Sequence, residues 1–269
     1  MSHAPPSGFI NDRLAGIGRP IVYTWRMGRD LARLFFDTFR AIFRGRVRGR
    51  EVMHQAYEIG NRSVPFVAIT LGVLGLISVF QVATQIKQVI PDFTMLGAAF
   101  LQMMIREFAP TITGLMVATR VGSGIAAEIG SMVVTEQVDA LRMCNADPVE
   151  YLIAPRTLAS AFMMVMLTIV GILCATVTGM LIARSGFGVP FKTFLNLQLV
   201  QPADLVLGGA KAFAYGVAIP VIAGQAGLAA SGGSAGVGRA TTQAVVATSF
   251  AVIVLDFVIS GISYVVFGR

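Results

Sequence analysis

The sequence predicts an all-α polytopic membrane protein, with an N-terminal interfacial amphipathic helix, five transmembrane helices and one short cytoplasmic helix. Three observations predict this class. The 269 residues are 55% hydrophobic and only 13% charged, and their mean hydropathy of +0.74 exceeds that of soluble globular domains. Five apolar runs are each long enough to cross a bilayer. Eleven of the 21 lysines and arginines precede residue 63.

The clustered N-terminal arginines place the first segment in the cytoplasm. Positively charged residues next to membrane spans are retained on the cytoplasmic side, where they also attract anionic headgroups. The net charge of +7 therefore indicates contact with a membrane surface and not with nucleic acid. The first twenty residues lack the continuous apolar stretch of a cleavable signal peptide, so insertion should use the internal spans.

From Ile21 to Phe43 the sequence has the pattern of an amphipathic helix. Arginines recur at steps of three, four, seven and four residues and form one stripe, while leucine, isoleucine and phenylalanine occupy other faces. An aromatic face opposite an arginine stripe is typical of a helix that lies in the cytoplasmic interface. The alternative is a soluble helix packed against a partner domain.

A hydrocarbon core about 30 Å thick requires about 20 apolar helical residues. Five runs reach this length: residues 64–84, 96–118, 152–183, 205–230 and 244–267. With the N-terminus inside, an odd number of spans places the C-terminus outside. The glycine-rich stretch Ser231–Gln243 is expected to be a flexible inner loop. Glycines such as Gly75, Gly208 and Gly216 are expected to let helices approach closely.

Charged residues also fall inside these runs, where they are expensive. Arg106 and Glu107 lie near the middle of the second run. Lys211 lies in the outer part of the fourth run, and Asp256 lies within the fifth. A central Arg or Asp costs about 2.5 to 3.5 kcal/mol to insert, so such residues normally face protein or water. Pro110 is expected to kink the second helix, because its ring clashes with the carbonyl four residues back.

These charges have two interpretations. Arg106, Glu107 and Lys211 are interpreted as the polar lining of a substrate path. Adjacent helical residues point about 100° apart, so the first two should find different partners. Arg239, in the loop before the fifth run, and Asp256 are assigned structural or gating roles. The alternative is that these groups form salt bridges with one another and hold the helices together.

The stretch AEIGSMVVTEQVDALRMCNADPVEYLIAPR, residues 127–156, is a charged island between two apolar runs. It carries five of the fourteen acidic residues. Residues 135–144 are predicted to form a short helix, with acidic residues near its start and Arg142 near its end, as the helix dipole favours. Asp147 and Pro148 then provide a stop and a turn.

This island resembles the signature region of the MlaE/YrbE-type permeases, the membrane subunits of Mce-associated lipid ABC transporters. Two further stretches are similar to the same family: REFAPTITGLMVATRVGSGIAAEIG, which overlaps its start, and SAGVGRATTQAVVATSFAVIVLDFV near the end. The resemblance extends from about Gln55 to Phe267, about four fifths of the chain. It implies a permease domain over residues 55–269, preceded by a cytoplasmic segment over residues 1–54.

In relatives, the region corresponding to residues 120–150 forms a coupling helix that docks into an ATPase subunit. The resemblance assigns this role to nine residues: Glu128, Ile129, Gly130, Ser131, Met132, Glu136, Gln137, Asp139 and Leu141. In the same setting, Arg106, Glu107 and Lys211 are interpreted as the groups that bind the polar headgroup of a lipid.

The implied function is that of the permease subunit of an ATP-driven transporter, which moves lipid, and phospholipid first, between the inner membrane and the outer envelope. A homodimer would enclose an apolar cavity, with ABC ATPase subunits on the cytoplasmic side and an Mce-domain protein in the periplasm. The implied location is the bacterial inner membrane, with a cytoplasmic N-terminus and a periplasmic C-terminus.

The chain is not expected to be an enzyme. It contains no G-x-x-x-x-G-K-[ST] phosphate loop, so ATP and Mg should bind to the partner ATPase, and no cofactor is expected in this chain. Its two histidines, His3 and His54, and its two cysteines, Cys144 and Cys174, have no spacing typical of a catalytic triad or a metal site.

Three alternatives remain open in the sequence. The first is an ion-coupled secondary carrier or channel, which would use Glu107 and Asp256 as proton or cation sites. Such a carrier has no use for a coupling helix, which is why the transporter interpretation is preferred. The second is a membrane scaffold that assembles other subunits. The third is a sterol or fatty-acid importer of the same family.

Overall fold

The computed structural model describes residues 28–45, 47–89 and 95–267, which form helices and turns and contain no strand. We number the helices in chain order, with α1 covering the described residues 28–43. The others are α2 (Gly49–Val89), α3 (Leu96–Val134), α4 (Gln137–Met143), α5 (Val149–Phe187), α6 (Phe191–Phe194), α7 (Pro202–Leu228) and α8 (Gly233–Phe267).

Five of these helices, α2, α3, α5, α7 and α8, are long and apolar enough to cross a membrane. This confirms the predicted class of an all-α polytopic membrane protein. The helices are longer than the predicted spans, because a hydropathy window detects the apolar stretch and not the full hydrogen-bonded helix. The prediction of a flexible loop over Ser231–Gln243 is wrong, because α8 begins at Gly233 and buries Ala240.

Successive long helices run in opposite directions, so the segments that connect them lie at the two ends of the helix bundle. At one end, the Arg48 guanidinium lies 5.5 Å from the centre of the Tyr151 ring. At the other end, the rings of Phe100 and Phe194 are 5.5 Å apart. We call the first, which carries α4, the α4 end, and the second, which carries α6, the α6 end.

Two apolar clusters form the core. One extends along the long helices and includes the fully buried side chains of Leu71, Phe100 and Met164. The second lies at the α4 end, where Ile129 of α3 and Val138 of α4 pack with residues of α5, α7 and α8. Because lipid tails are as apolar as these side chains, close packing and not hydrophobic burial must hold such helices together.

Helix α1 packs on the second cluster. Leu31 and Leu34 are half-buried against it, and Thr38 and Ala41 continue the same stripe and are buried. A different face is aromatic, with Phe35, Phe36 and Phe43 exposed and Phe39 half-buried among them. Such a face suits the predicted interfacial helix. Residues 21–27 of that prediction lie outside the described residues.

Glycines allow the helices to approach to backbone contact. A Cβ added at Gly216 of α7 would lie 2.7 Å from the Cα of Ala161 in α5. A Cβ added at Gly208 would collide with the carbonyl oxygen of Ile105 in α3. The two contacts place α7 directly against both neighbours, as the glycine content predicts.

Gly208 and Gly209 provide a matched test of this packing. Gly208→Ala is expected to lower the free energy of unfolding by about 1 to 3 kcal/mol, because the added methyl group overlaps the backbone of α3. A Cβ at Gly209 meets no atom within 4 Å, so Gly209→Ala should be neutral or stabilise by up to about 1 kcal/mol. The measurement is the thermal unfolding midpoint in detergent. Equal midpoints for the two variants would contradict the close contact.

Candidate functional site

Charged side chains from three helices meet in one network inside the helix bundle. Lys211 of α7 lies at its centre, with its Nζ 2.5 Å from Oε2 of Glu107 in α3 and 2.9 Å from Oδ1 of Asp256 in α8. Arg106 extends the network, because its Nη1 lies 3.6 Å from Oδ1 of Asp204. The structure therefore brings together all three residues predicted to line a substrate path.

Arg106 and Glu107 lie in a π-helical turn, Met104–Phe108. The backbone N–H of Ala109 donates to the carbonyl oxygen of Met104, five residues back. The next residue is Pro110, so the disturbance expected from the proline takes the form of a widened turn, a feature often found at functional sites. Because α3 extends to Val134, this turn lies in the first third of the helix and not at its middle.

The expectation that Arg106 and Glu107 find different partners is only partly correct. Each has a partner of its own, Asp204 for the arginine and Lys211 for the glutamate. Their side chains also approach each other, with Arg106 Nε 3.7 Å from Glu107 Oε1. The helical angle between neighbours does not prevent this contact, because both side chains are long enough to bend toward each other.

Neutral side chains complete the network. Tyr215 donates its hydroxyl proton to Oδ1 of Asp256 at 2.7 Å, and Thr111 donates to the same oxygen at 3.1 Å. Oδ2 of Asp204 accepts from the backbone N–H of Gln201 at 3.0 Å, within a capping box at the start of α7. Asp204 and Tyr215 are members of the network that the sequence does not predict. Pro202 at the first helical position with Asp204 in the first turn is a helix-start signal, whereas nothing distinguishes Tyr215 within its apolar run.

The network is built around a buried cation with an excess of carboxylates. Lys211 is fully buried, whereas the side chains of Glu107 and Asp256 are 36% and 24% exposed. Three carboxylates oppose two cations, so the group has a formal charge of minus one. Since burial of an isolated ammonium is strongly unfavourable, the paired carboxylates are what make this position of Lys211 possible.

The two predicted structural or gating charges have different surroundings. Asp256 is an integral member of the network. Arg239 is exposed at the α4 end, where its Nη2 lies 3.3 Å from the carbonyl oxygen of Ser231. The alternative of mutual salt bridges is therefore correct for Asp256, which pairs with Lys211, whereas Arg239 contacts a backbone carbonyl and lies apart from the network.

The nine predicted coupling residues fall on two helices. Residues 128–132 belong to the last third of α3, and Gln137, Asp139 and Leu141 belong to α4, with Glu136 just before it. Ile129 and Gly130 are buried, and Met132 and Leu141 are half-buried against the apolar cluster. The exposed members are Glu128, Ser131, Glu136, Gln137 and Asp139.

Two residues with left-handed backbone conformation bracket α4. Glu136 has φ 61° and Asn145 has φ 56°. Asparagine tolerates this conformation, but for most other residues with a Cβ it costs about 1 to 2 kcal/mol. Strain of this kind is typical of functional sites. The glutamate is thus held in a conformation that glycine would adopt more easily, with its carboxylate exposed.

Lys211→Met tests whether the buried ammonium holds the helices together. We expect a loss of about 3 kcal/mol or more in the free energy of unfolding, because Glu107 and Asp256 are left without their common cation. Adding Glu107→Gln and Asp256→Asn should recover part of this loss by removing both charges. The thermal unfolding midpoint in detergent is the measurement, with exposed Lys192→Met as the control. A midpoint equal to that of the control would show that the ammonium contributes nothing.

Comparison with known proteins identifies the family. The model of the family Permease MlaE matches residues 52–262. A probable ABC transporter permease of Synechocystis sp. is 35% identical over 87% of this chain and 90% of its own. A probable ABC transporter permease of Rickettsia bellii is also 35% identical, over 78% and 81% of the two chains. The chloroplastic protein TRIGALACTOSYLDIACYLGLYCEROL 1 of Arabidopsis thaliana is 32% identical over 90% and 69%. The chain therefore belongs to the MlaE permease family and is a permease of the ABC transporter type.

Proposed function

We propose that this permease is the membrane subunit of an ATP-driven lipid transporter, whose separate ATPase subunit docks on α4. The observation that carries this proposal is the two-sided character of α4. Val138 and Leu141 face the apolar cluster, while Glu136, Gln137 and Asp139 are exposed. The exposed side carries two carboxylates, of which Asp139 lies 3.0 Å from Arg142 of the same helix, and such a side is suited to a partner with basic side chains.

The anchoring of α4 provides a route for movement into the membrane. The cluster that holds Val138 also contains Ile153 of α5 and Val221 of α7. Pressure on α4 from a closing ATPase would therefore reach two long helices directly, as a rigid-body displacement. ATP and Mg would bind to the ATPase, and this chain would supply no catalytic group.

Lipid is the proposed substrate on two grounds. The Arabidopsis relative is named after a galactolipid. In this chain, the members Arg106, Glu107 and Asp256 of the charged network are partly exposed, and they offer charges of both signs to a phospholipid headgroup. The role proposed for Lys211 changes with the structure, because a fully buried ammonium holds the carboxylates in place and does not touch a headgroup.

The proposed assembly follows the family resemblance. Two copies of the chain would enclose the acyl chains, and α8 offers an apolar surface for this purpose, since Val246, Phe250 and Phe257 are exposed. The proposed setting is the bacterial inner membrane, with the α4 end in the cytoplasm. An Mce-domain protein would contact the α6 end in the periplasm.

An ion-coupled carrier is less consistent with this geometry. Both carboxylates that it would use, Glu107 and Asp256, contact the ammonium of Lys211. A transported proton or cation would have to displace a buried lysine, which then loses its counter-charges. Transport by the purified chain alone, driven by an ion gradient, would nevertheless favour the carrier. Transfer assays with a phospholipid, a sterol and a fatty acid, each tested separately, distinguish the candidate lipid substrates.

The docking surface is tested by reversing its charge. Glu136→Lys and Asp139→Lys are each expected to reduce recovery of the ATPase with the purified permease by about tenfold or more, because like charges now face the partner's cations. Glu58→Lys, a reversal on α2, should leave recovery unchanged. Membrane insertion and yield are measured in parallel. Full recovery of the ATPase with both variants would exclude α4 as the docking site.

The headgroup role is tested at the exposed edge of the network. Arg106→Ala is expected to reduce lipid transfer to acceptor vesicles by about tenfold, because one charge-assisted contact to a phosphate is lost. Arg239→Ala, which removes an arginine at the other end, should leave transfer unchanged. Photocrosslinkable phospholipid identifies the residues in contact. Equal labelling around position 106 in the variant and in the unaltered chain would contradict this role.

A further inference from the structure

A buried arginine at the start of α5 contacts the end of α3. Nη2 of Arg156 lies 2.6 Å from Oε1 of Glu128. The arginine side chain is only 4% exposed, whereas the glutamate side chain is 54% exposed. The pair therefore joins a buried cation on one helix to a surface carboxylate on another.

This ion pair links the two helices, α3 and α5, that flank the segment containing α4. The chain leaves α3 after Glu128, forms α4, and enters α5 before Arg156. Contacts of Val138 and Ile129 in the apolar cluster also hold the segment, but apolar attraction has no preferred direction. A charge-assisted hydrogen bond has a defined direction and length. It therefore fixes the segment relative to α5.

Because the guanidinium of Arg156 is buried, it requires its contact with Glu128. No acceptor for its Nη1 occurs among the residues that the structure describes, so Glu128 is the carboxylate that offsets the buried charge. Separation of the two groups would leave a buried guanidinium without a counter-charge, which is strongly unfavourable. Any displacement of Glu128 must then be followed by Arg156, and with it by α5.

We propose that Arg156 is a positioning residue for coupling, which acts through Glu128 to transmit movement of the α4 segment into α5. This inference depends on the proposed function, because the movement originates in an ATPase docked on α4. It changes the role of Glu128, for which the sequence predicts direct contact with the ATPase. In the structure its carboxylate is directed toward Arg156.

The first experiment needs only the permease. Hydrogen exchange of the backbone amides of residues 135–147 is measured in detergent for Arg156→Met and Glu128→Gln. We expect these amides to exchange about tenfold faster than in the unaltered chain, because local opening becomes easier when the ion pair no longer links α3 to α5. Glu58→Gln is the matched control, since Glu58 pairs at 2.8 Å with Arg62, whose side chain is 66% exposed and not buried as that of Arg156 is. Unchanged exchange in both variants would overturn the proposed attachment.

The second experiment measures lipid transferred per ATP hydrolysed by the complex with its ATPase. Arg156→Met is expected to lower this ratio by about fivefold or more while the ATPase remains bound, because the coupling free energy is reduced. Combining Glu128→Arg with Arg156→Glu restores the opposite charges and should recover most of the ratio. A purely structural role would lower yield and unfolding midpoint but leave the ratio unchanged, and that result overturns the inference.

The two proposals fail in different ways. If the unaltered chain binds no ATPase, the proposed function is wrong, and the coupling role of Arg156 fails with it. If the unaltered complex transports lipid but Arg156→Met transports equally well per ATP, only the role of Arg156 is wrong. The charge-exchanged variant separates loss of the ion pair from loss of the arginine side chain itself.

Discussion

The buried ammonium of Lys211 constrains the arrangement of three helices. A cation inside an apolar bundle must keep its counter-charges in contact, and these come from Glu107 in α3 and Asp256 in α8. The three helices are thereby fixed at one height relative to one another. Gly208 makes this possible, because it lets α7 approach the backbone of α3 at Ile105, directly beside Arg106. Charge and close packing thus specify the same register.

Helix α3 connects the two proposed sites, the charged network and the coupling segment. Its π-helical turn Met104–Phe108 carries two members of the charged network, and its last third carries Glu128. With a rise of 1.5 Å per residue, about 30 Å separates Glu107 from Glu128, roughly the thickness of a hydrocarbon core. A second π-helical turn, Ala118–Gly122, lies between them. One continuous helix therefore links the coupling segment to the proposed headgroup site.

The sequence predicts the membrane class, the five long helices and the family, because hydropathy and an ordered signature need no tertiary information. It does not predict the full length of α3 and α8, since packed residues such as Ile129 and Ala240 extend these helices beyond the apolar runs. The sequence also does not predict which charged residues pair with one another. Pairing depends on how helices rotate about their axes, so Asp204 and Tyr215 are recognised as members of the network only in three dimensions.

Burial decides what each charged residue can do in this protein. Lys211 and Arg156 are almost completely buried, and such cations cannot leave their carboxylates without a large loss of free energy. They are suited to holding helices in register. Glu136 is exposed and has a strained backbone, although a protein under selection for local stability alone would place glycine there. Since local rules are broken mainly where function requires it, the strained Glu136 is the group best suited to meet the proposed ATPase, and the pair of Arg156 and Glu128 is the one suited to the proposed transmission of its movement.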